Sequence, residues 1–415
     1  MRTATLLRSG PAVWAALVLI PVLVWFSAQN TESTVAYWPS ISSQTTIVVG
    51  FISAACGAGA AWEAARLKQG AIPALAPARG MLSIAALHLG PIAVLGLIAI
   101  VAPLAVVMSS VTVPSGFPNP AILTVSYSVI LSHIALGWFV GARLPKLLGA
   151  ATMLLFGYLW GFWPAAIGTL PWLRHLNGQG VTECCGLDQE PSVRSMAATV
   201  MFSLAIVTAI VLNSALPNRP WRPLLPLAAF TAVTAVALTL AIPLDFNGTQ
   251  TRDVALRTCS GQNPQICLWP EQDTQRDEIT RWADEATKKL AAVGVTPDRQ
   301  VQFGNPHPDQ VNVASNIATS PVPSEPPPCA LRRGAAYPGD EAMVAIYAWL
   351  SLTGGVPKHD LAQRWPPEAI NLAERVRALP PQAQNAWYER NMRSVHDCSV
   401  LPDLNPASYT KAAAS

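Results

Sequence analysis

The chain has 415 residues, 51% of them hydrophobic and 12% charged, with a formal net charge of +3. Soluble domains carry about 25% charged residues, so half that level argues against an ordinary soluble domain and for a membrane protein. The mean hydropathy of +0.33 agrees, and nothing in the charge balance points to a nucleic-acid partner.

The average hides a split. Residues 1–244 carry five acidic groups (Glu32, Glu63, Glu183, Asp188 and Glu190) against eleven Lys and Arg, a net charge of +6. Residues 245–415 carry nineteen acidic against sixteen basic groups, a net charge of −3. The expected architecture is therefore an all-α helical membrane bundle over 1–244, then a small α/β domain over 245–405 and a disordered tail over 406–415.

In chain order, seven stretches are apolar over roughly the 20 residues that cross a bilayer core. They are about 11–28, 45–65, 82–108, 121–142, 147–169, 196–215 and 224–243. Pro, Gly and charged breaks such as GAIPALAPARG and PNRPWRP separate them. Arg2 and Arg8 ahead of the first stretch suit a signal peptide. Its apolar run is too long for one, however, and Phe26 stands where a cleavage site wants a small residue. It is read as an uncleaved anchor.

With the N-terminus placed inside, the inner segments hold Arg2, Arg8, Arg66, Lys68, Arg79, Arg143, Lys146, Arg219 and Arg222. The outer loops hold only Arg174 and Arg194. The positive-inside rule favours this orientation. Seven spans then put everything from about 245 onward outside the cytoplasm. Trp14, Trp25, Trp38, Trp163, Trp172 and Trp221 near the span ends suit an aromatic belt.

Six of the seven cysteines fall on the outer side in this topology: Cys184, Cys185, Cys259, Cys267, Cys329 and Cys398. An even number in an oxidising compartment reads as a disulfide framework. Cys259 with Cys267 and Cys329 with Cys398 are the expected pairs, and the adjacent Cys184 and Cys185 bond either elsewhere or to each other. A metal site is the weaker reading. His396 lies near Cys398, and His175 near Cys184 and Cys185, but neither CxxC nor HxxxH spacing occurs.

In the outer domain, QICLWP reads as a strand and 272–293 as an amphipathic helix, with Ile279, Trp282, Ala283, Ala286 and Leu290 on one face. Gly294 stops that helix, and RQVQFG completes a β-α-β unit. The Pro-rich stretch within 317–338 reads as a stiff loop. Helices resume over 339–354, 366–378 and 380–396, two of them opening with Pro-Pro.

Chemistry is sparse. No Walker A, GxSxG, HExxH or dinucleotide fingerprint occurs, so no enzyme and no cofactor is expected. Glu271, His396 and His175 are the residues that an enzyme would have to use. Glu271 reads better as a helix-start carboxylate, Asp340 and Glu341 as cap and dipole partners, and His396 as a surface residue. Within the spans the ionisable groups are His88, His133 and Glu63. Both histidines are expected to be neutral and bonded to a neighbouring helix, and Glu63 to reach the interface and pair with Arg66. Gly157-Tyr-Leu-Trp-Gly161 has the GxxxG spacing of a close helix contact, either a dimer face or internal packing.

The small residues of the spans, the short basic inner loops and the segment ARLKQGAIPALAPARG (65–80) after the second span resemble permease subunits of ABC-2-type exporters. The Arg-over-Lys bias resembles a chain from a high-GC genome such as an actinobacterium, and the CLWPEQ stretch after a run of helices looks similar to ABC-transporter-associated membrane proteins of actinobacteria. The resemblance implies a plasma-membrane transport component, with the bilayer around it and a separate ATPase subunit against its inner loops in a homo- or hetero-oligomer. Permeases of that class have six spans and both termini inside, whereas seven are expected here, so no functional residues carry over. The alternative is a surface receptor or scaffold whose outer domain binds a peptide, an envelope component or a protein.

Overall fold

A computed structural model describes residues 10–32, 34–71, 80–182, 184–216, 223–332 and 336–410. The chain divides into two compact units, Met1–Arg252 and Asp253–Ser415. The boundary falls eight residues beyond the expected one. Strand β2 (Thr249–Thr251) pairs antiparallel with β1 (Gln189–Pro191), which stitches residues 245–252 into the first unit.

The N-terminal unit is helical. Its helices are α1 (Pro11–Ala28), α2 (Trp38–Ile47), α3 (Val49–Gln69), α4 (Met81–Ser110), α5 (Pro120–Gly141), α6 (Lys146–Ala166), α7 (Val193–Ala215) and α8 (Leu224–Ala241). Six of these (α1, α4, α5, α6, α7, and α8 with the 3-10 turn Ile242–Leu244) are long and apolar enough to cross a membrane. The second expected span differs. It is a pair of helices, α2 and α3, bent by 47° where they meet. Helix α2, WPSISSQTTI, is polar yet buried from Pro39 to Thr46. Such a sequence is a poor helix former in isolation, so tertiary contacts impose its helicity.

Helix α3 packs against α1, α4, α5 and α6. Small residues let the backbones of α5 and α6 approach it. A Cβ added at Gly157 of α6 would lie 2.5 Å from Ala54 Cα, and one at Gly161 would collide with Gly50. The GxxxG spacing of α6 is thus spent on internal packing. Gly137 and Gly141 of α5 do the same against Gly57 and Ala61. In α3 the stripe Gly50, Ala54, Gly57 and Ala61 therefore meets two glycine-bearing helices, and the close backbone approach adds van der Waals contact.

The C-terminal unit packs helices against a three-stranded sheet in the order β3 (Thr258–Ser260), β4 (Gln265–Leu268), β5 (Gln300–Gln302). Strands β3 and β4 are antiparallel, with Cys259 opposite Cys267. Strands β4 and β5 are parallel, joined through α9 (Arg276–Ala291), as the β-α-β expectation required. The expected helix start at 272 shifts, because Pro270–Gln275 form a 3-10 turn first. The hydrogen bond that secures this turn comes from the fully buried Gln272. Its Oε1 accepts from the Trp269 amide at 2.9 Å, and its Nε2 donates to the Phe303 and Asn305 carbonyls.

Helix α10 (Gln310–Thr319) was not among the expected elements and runs into the start of the stretch read as a stiff loop. It is followed by α11 (Gly339–Gly354), the short α12 (Lys358–Leu361), α13 (Pro367–Arg377) and α14 (Pro381–His396). The Pro-Pro starts at α13 and α14 are borne out. The core gathers Ile279, Leu290, Phe303, Ile346, Trp349 and Trp387, all at most 1% exposed. Burying an aromatic side chain of this kind contributes about 2–3 kcal/mol. The expected tail disorder is not seen over 406–410. Pro406–Tyr409 form a 3-10 turn, Tyr409 is buried, and its hydroxyl donates to the Asp403 carbonyl at 3.0 Å. Residues 411–415 lie outside the described residues.

Candidate functional sites

Among the described residues of the N-terminal unit, Glu63, Arg66 and His88 form a buried ionic cluster. Glu63, near the end of α3, is 2% exposed. Its Oε1 accepts from Arg66 Nη2 at 2.6 Å and lies 3.0 Å from His88 Nδ1 on α4. The pairing with Arg66, three residues on, is the expected one. Helix α4 covers the carboxylate and supplies His88 as a second partner. Glu63 Oε2 has no hydrogen-bond partner among the described residues. The Glu63–His88 contact joins α3 to α4 and is the buried charged group of this unit that a function could use.

His133 of α5 is 3% exposed. Its Nδ1 contacts the Val129 carbonyl at 2.9 Å, within its own helix rather than on a neighbour as expected. Its Nε2 is unpartnered among the described residues, and His133 lines a small cavity of about 120 Å³ together with Leu136, Phe156, Trp160, Phe202 and Ile206.

At the far end of α3 lies a second polar network. Gln179 donates to the Thr46 carbonyl at 3.2 Å, Thr182 and Thr46 hydroxyls meet at 3.0 Å, and Ser43 donates to the Cys184 carbonyl. The Asn119 amide donates to Ser42 Oγ at 2.8 Å. These bonds explain how a Ser- and Thr-rich helix stays buried: Ser43, Thr45 and Thr46 donate to carbonyls of their own helix, and Gln179, Thr182, Cys184 and Asn119 supply further partners. His175 anchors the same region. Its Nε2 donates to the Asp245 carbonyl at 3.0 Å, which leaves Nδ1 to accept from Ser195 Oγ at 2.8 Å. Burial pushes the His175 pKa down, and the nearby Arg174 adds to this, against the raising effect of the Asp245 bond. A serine bonded to an oriented histidine has the form of a nucleophile–base pair. Here both side chains are sealed, at 0% and 1% exposure. The pair ties residue 175 to α7 and to the 245 segment.

In the C-terminal unit the candidates stay apart. Glu271 sits in the first turn after β4, as a helix-start carboxylate would. His396 is exposed in the last turn of α14. Asp340 and Glu341 occupy the first turn of α11 and suit its dipole, but neither caps it, because Pro338 holds the cap position. Cys259 with Cys267, Cys329 with Cys398, and Cys184 with Cys185 are placed at disulfide distance, and Cys56 is a buried free thiol. Among the described residues no group of three or more His, Cys, Asp or Glu side chains is placed to hold a metal ion. The inner-segment residues Arg2, Arg8, Arg79, Arg219 and Arg222, with Glu183 and Trp221, lie outside the described residues.

The glycines of α5, the buried helix α2 and the Glu63–His88 pair are what sequence reasoning missed. The GWFVG spacing at 137–141 was a readable signal for the first. The other two depend on contacts between distant segments.

Residues 266–398 match a family described as a domain of unknown function, DUF7224. The match starts inside β4 and ends at Cys398, so it falls within the C-terminal unit. No curated protein and no solved structure matches the chain.

Proposed function

We propose that the chain is the membrane-embedded, permease-like component of a transport assembly driven by a separate ATPase. Six apolar helices support a membrane location, and the bent α2–α3 pair, taken as one crossing, makes a seventh span. The inner-segment basic charges favour a cytoplasmic N-terminus, which puts the cysteine-paired C-terminal unit outside the cytoplasm. The observation that carries the reading is helix α3. It is a rod with a small-residue surface toward both α5 and α6, a bend at its outer end and a buried ionic cluster at its inner end. It leads directly into the basic 65–80 segment. Small-residue contacts permit shear between packed helices. A motor protein docked at that segment would act on α3 and alter the Glu63–His88 contact.

A second reading, a surface receptor or scaffold, is favoured by one feature of the C-terminal unit. A depression of about 550 Å³ on α9 is lined by Arg276, Asp277, Arg281, Asp284, Glu285 and Lys288. Charges of both signs suit a polar peptide or protein. One experiment separates the two readings. The N-terminus is tagged, the native membrane is extracted in mild detergent, and co-purifying proteins are identified by mass spectrometry. A stoichiometric P-loop ATPase supports transport. An envelope or surface protein without an ATPase removes the transport reading and supports the second.

A further inference from the structure

An apolar groove of about 740 Å³ runs between α1, α3 and α6. Its floor is the face Ala54, Ala55, Ala58 and Gly59 of α3, its walls are Leu19 of α1 and Leu154 of α6, and Trp62 stands at one end. The opposite end is closed by an aromatic cluster, in which Phe51 packs against Phe26, Phe162 and Tyr158. From Trp62 to Phe51 the floor covers eleven helical steps, about 16 Å at 1.5 Å per residue. That is half the thickness of a bilayer core of about 30 Å. A partner helix crossing the bilayer would need the whole thickness, whereas an acyl chain of a single leaflet needs the half that is present. The volume lies within the range of about 300–1,000 Å³ typical of small-molecule sites.

The Trp62 end carries charge. Lys146 Nζ sits 3.8 Å from the centroid of the Trp62 ring, and it has no carboxylate partner among the described residues. Lys146 is also the first residue of α6, and no side chain caps that helix. Its free backbone N–H groups therefore lie beside the ammonium and favour an anion.

We propose that this groove is a binding site for an anionic phospholipid. One acyl chain would lie along Ala54, Ala58 and Leu154 as far as the Phe51 cluster, and the phosphate would meet Lys146 at the start of α6. The proposal rests on the membrane reading given above, which puts Lys146 in the inner leaflet, where anionic lipids are concentrated.

The test uses the full chain in detergent, with phosphatidylglycerol or phosphatidylcholine titrated in and bound lipid counted by native mass spectrometry. Wild type should prefer phosphatidylglycerol. Lys146→Gln should weaken phosphatidylglycerol about fivefold, the equivalent of about 1 kcal/mol for one basic residue near an anionic headgroup, and leave phosphatidylcholine unchanged. Ala58→Phe fills the groove and should reduce binding of both lipids. Equal affinity of wild type and Lys146→Gln for phosphatidylglycerol overturns the headgroup assignment. Unchanged binding in Ala58→Phe overturns the groove. If a variant does not fold, the wild-type preference decides, and its absence overturns the proposal. Release of the wild-type chain from membranes by alkaline carbonate, without detergent, would instead bring down the membrane reading itself.

Discussion

Removing the Cys329–Cys398 link should destabilise the C-terminal unit more than removing Cys259–Cys267, and the margin follows from loop length. The first pair is separated by 69 residues and the second by 8. Closing a loop restricts the unfolded chain by an entropy that grows with the logarithm of its length. The resulting stabilisation is about 4.4 kcal/mol for the long loop and about 2.5 kcal/mol for the short one. Cys267 is fully buried, whereas Cys329 and Cys398 are half-buried, so an alanine at 267 adds a packing loss of about 1 kcal/mol. The long loop should still cost about 1 kcal/mol more. The assay is hydrogen exchange on the full chain, read at peptides from α11 and α14, for the double variants C329A/C398A and C259A/C267A. Protection limited by global opening of the unit should fall roughly a thousandfold in the first and several hundredfold in the second. Equal losses, or a larger loss at 259–267, would refute the loop-length argument.

Three further outcomes are expected. Gly157→Leu drives a side chain into Ala54, so α6 must move off α3; overpacking of this kind costs about 1–3 kcal/mol, and the melting temperature in detergent should drop while that of Gly168→Ala, where nothing lies within 4 Å, stays put. His175 has its pKa pushed below the ordinary 6.5, so the folded chain resists a proton that the unfolded chain accepts. Its contribution is full above pH 6.5 and is lost as the pH falls below that value toward the folded pKa; His175→Gln should flatten this part of the thermal-stability profile. Finally, a membrane-impermeant thiol reagent applied to intact cells after reduction should label cysteines of the 259–398 region, and labelling only after lysis would contradict an extracytoplasmic C-terminal unit.

Much of the C-terminal unit was legible because its signals are local. Pro-Pro at 366–367 and 380–381 announces two helix starts, and the face Ile279, Ala283, Ala286, Leu290 announces α9. The cysteine pairs at 259–267 and 329–398 were reached through compartment and count, and the geometry places the same partners together. Helix α2 was not legible. Its serines and threonines favour turns and caps over helix interiors, and only partners such as Gln179, Thr182 and Asn119 make the helix affordable in a buried setting. Glu63 was read correctly toward Arg66, a neighbour one turn away. The contact with His88 spans 25 positions and two helices, and no local pattern encodes it.

The cysteine pairs have a consequence for biosynthesis. Cys184 pairs with Cys185, Cys259 with Cys267 and Cys329 with Cys398, so each cysteine takes the next one in the chain. Cys56, the earliest, is withdrawn inside α3. An oxidant that joins thiols in their order of emergence therefore arrives at the final pairing with nothing to reshuffle. The longest interval is the one between Cys329 and Cys398. At about 5–20 residues per second, its 69 residues take roughly 3–14 s to synthesise. During those seconds Cys329 is the thiol whose correct partner has yet to be made.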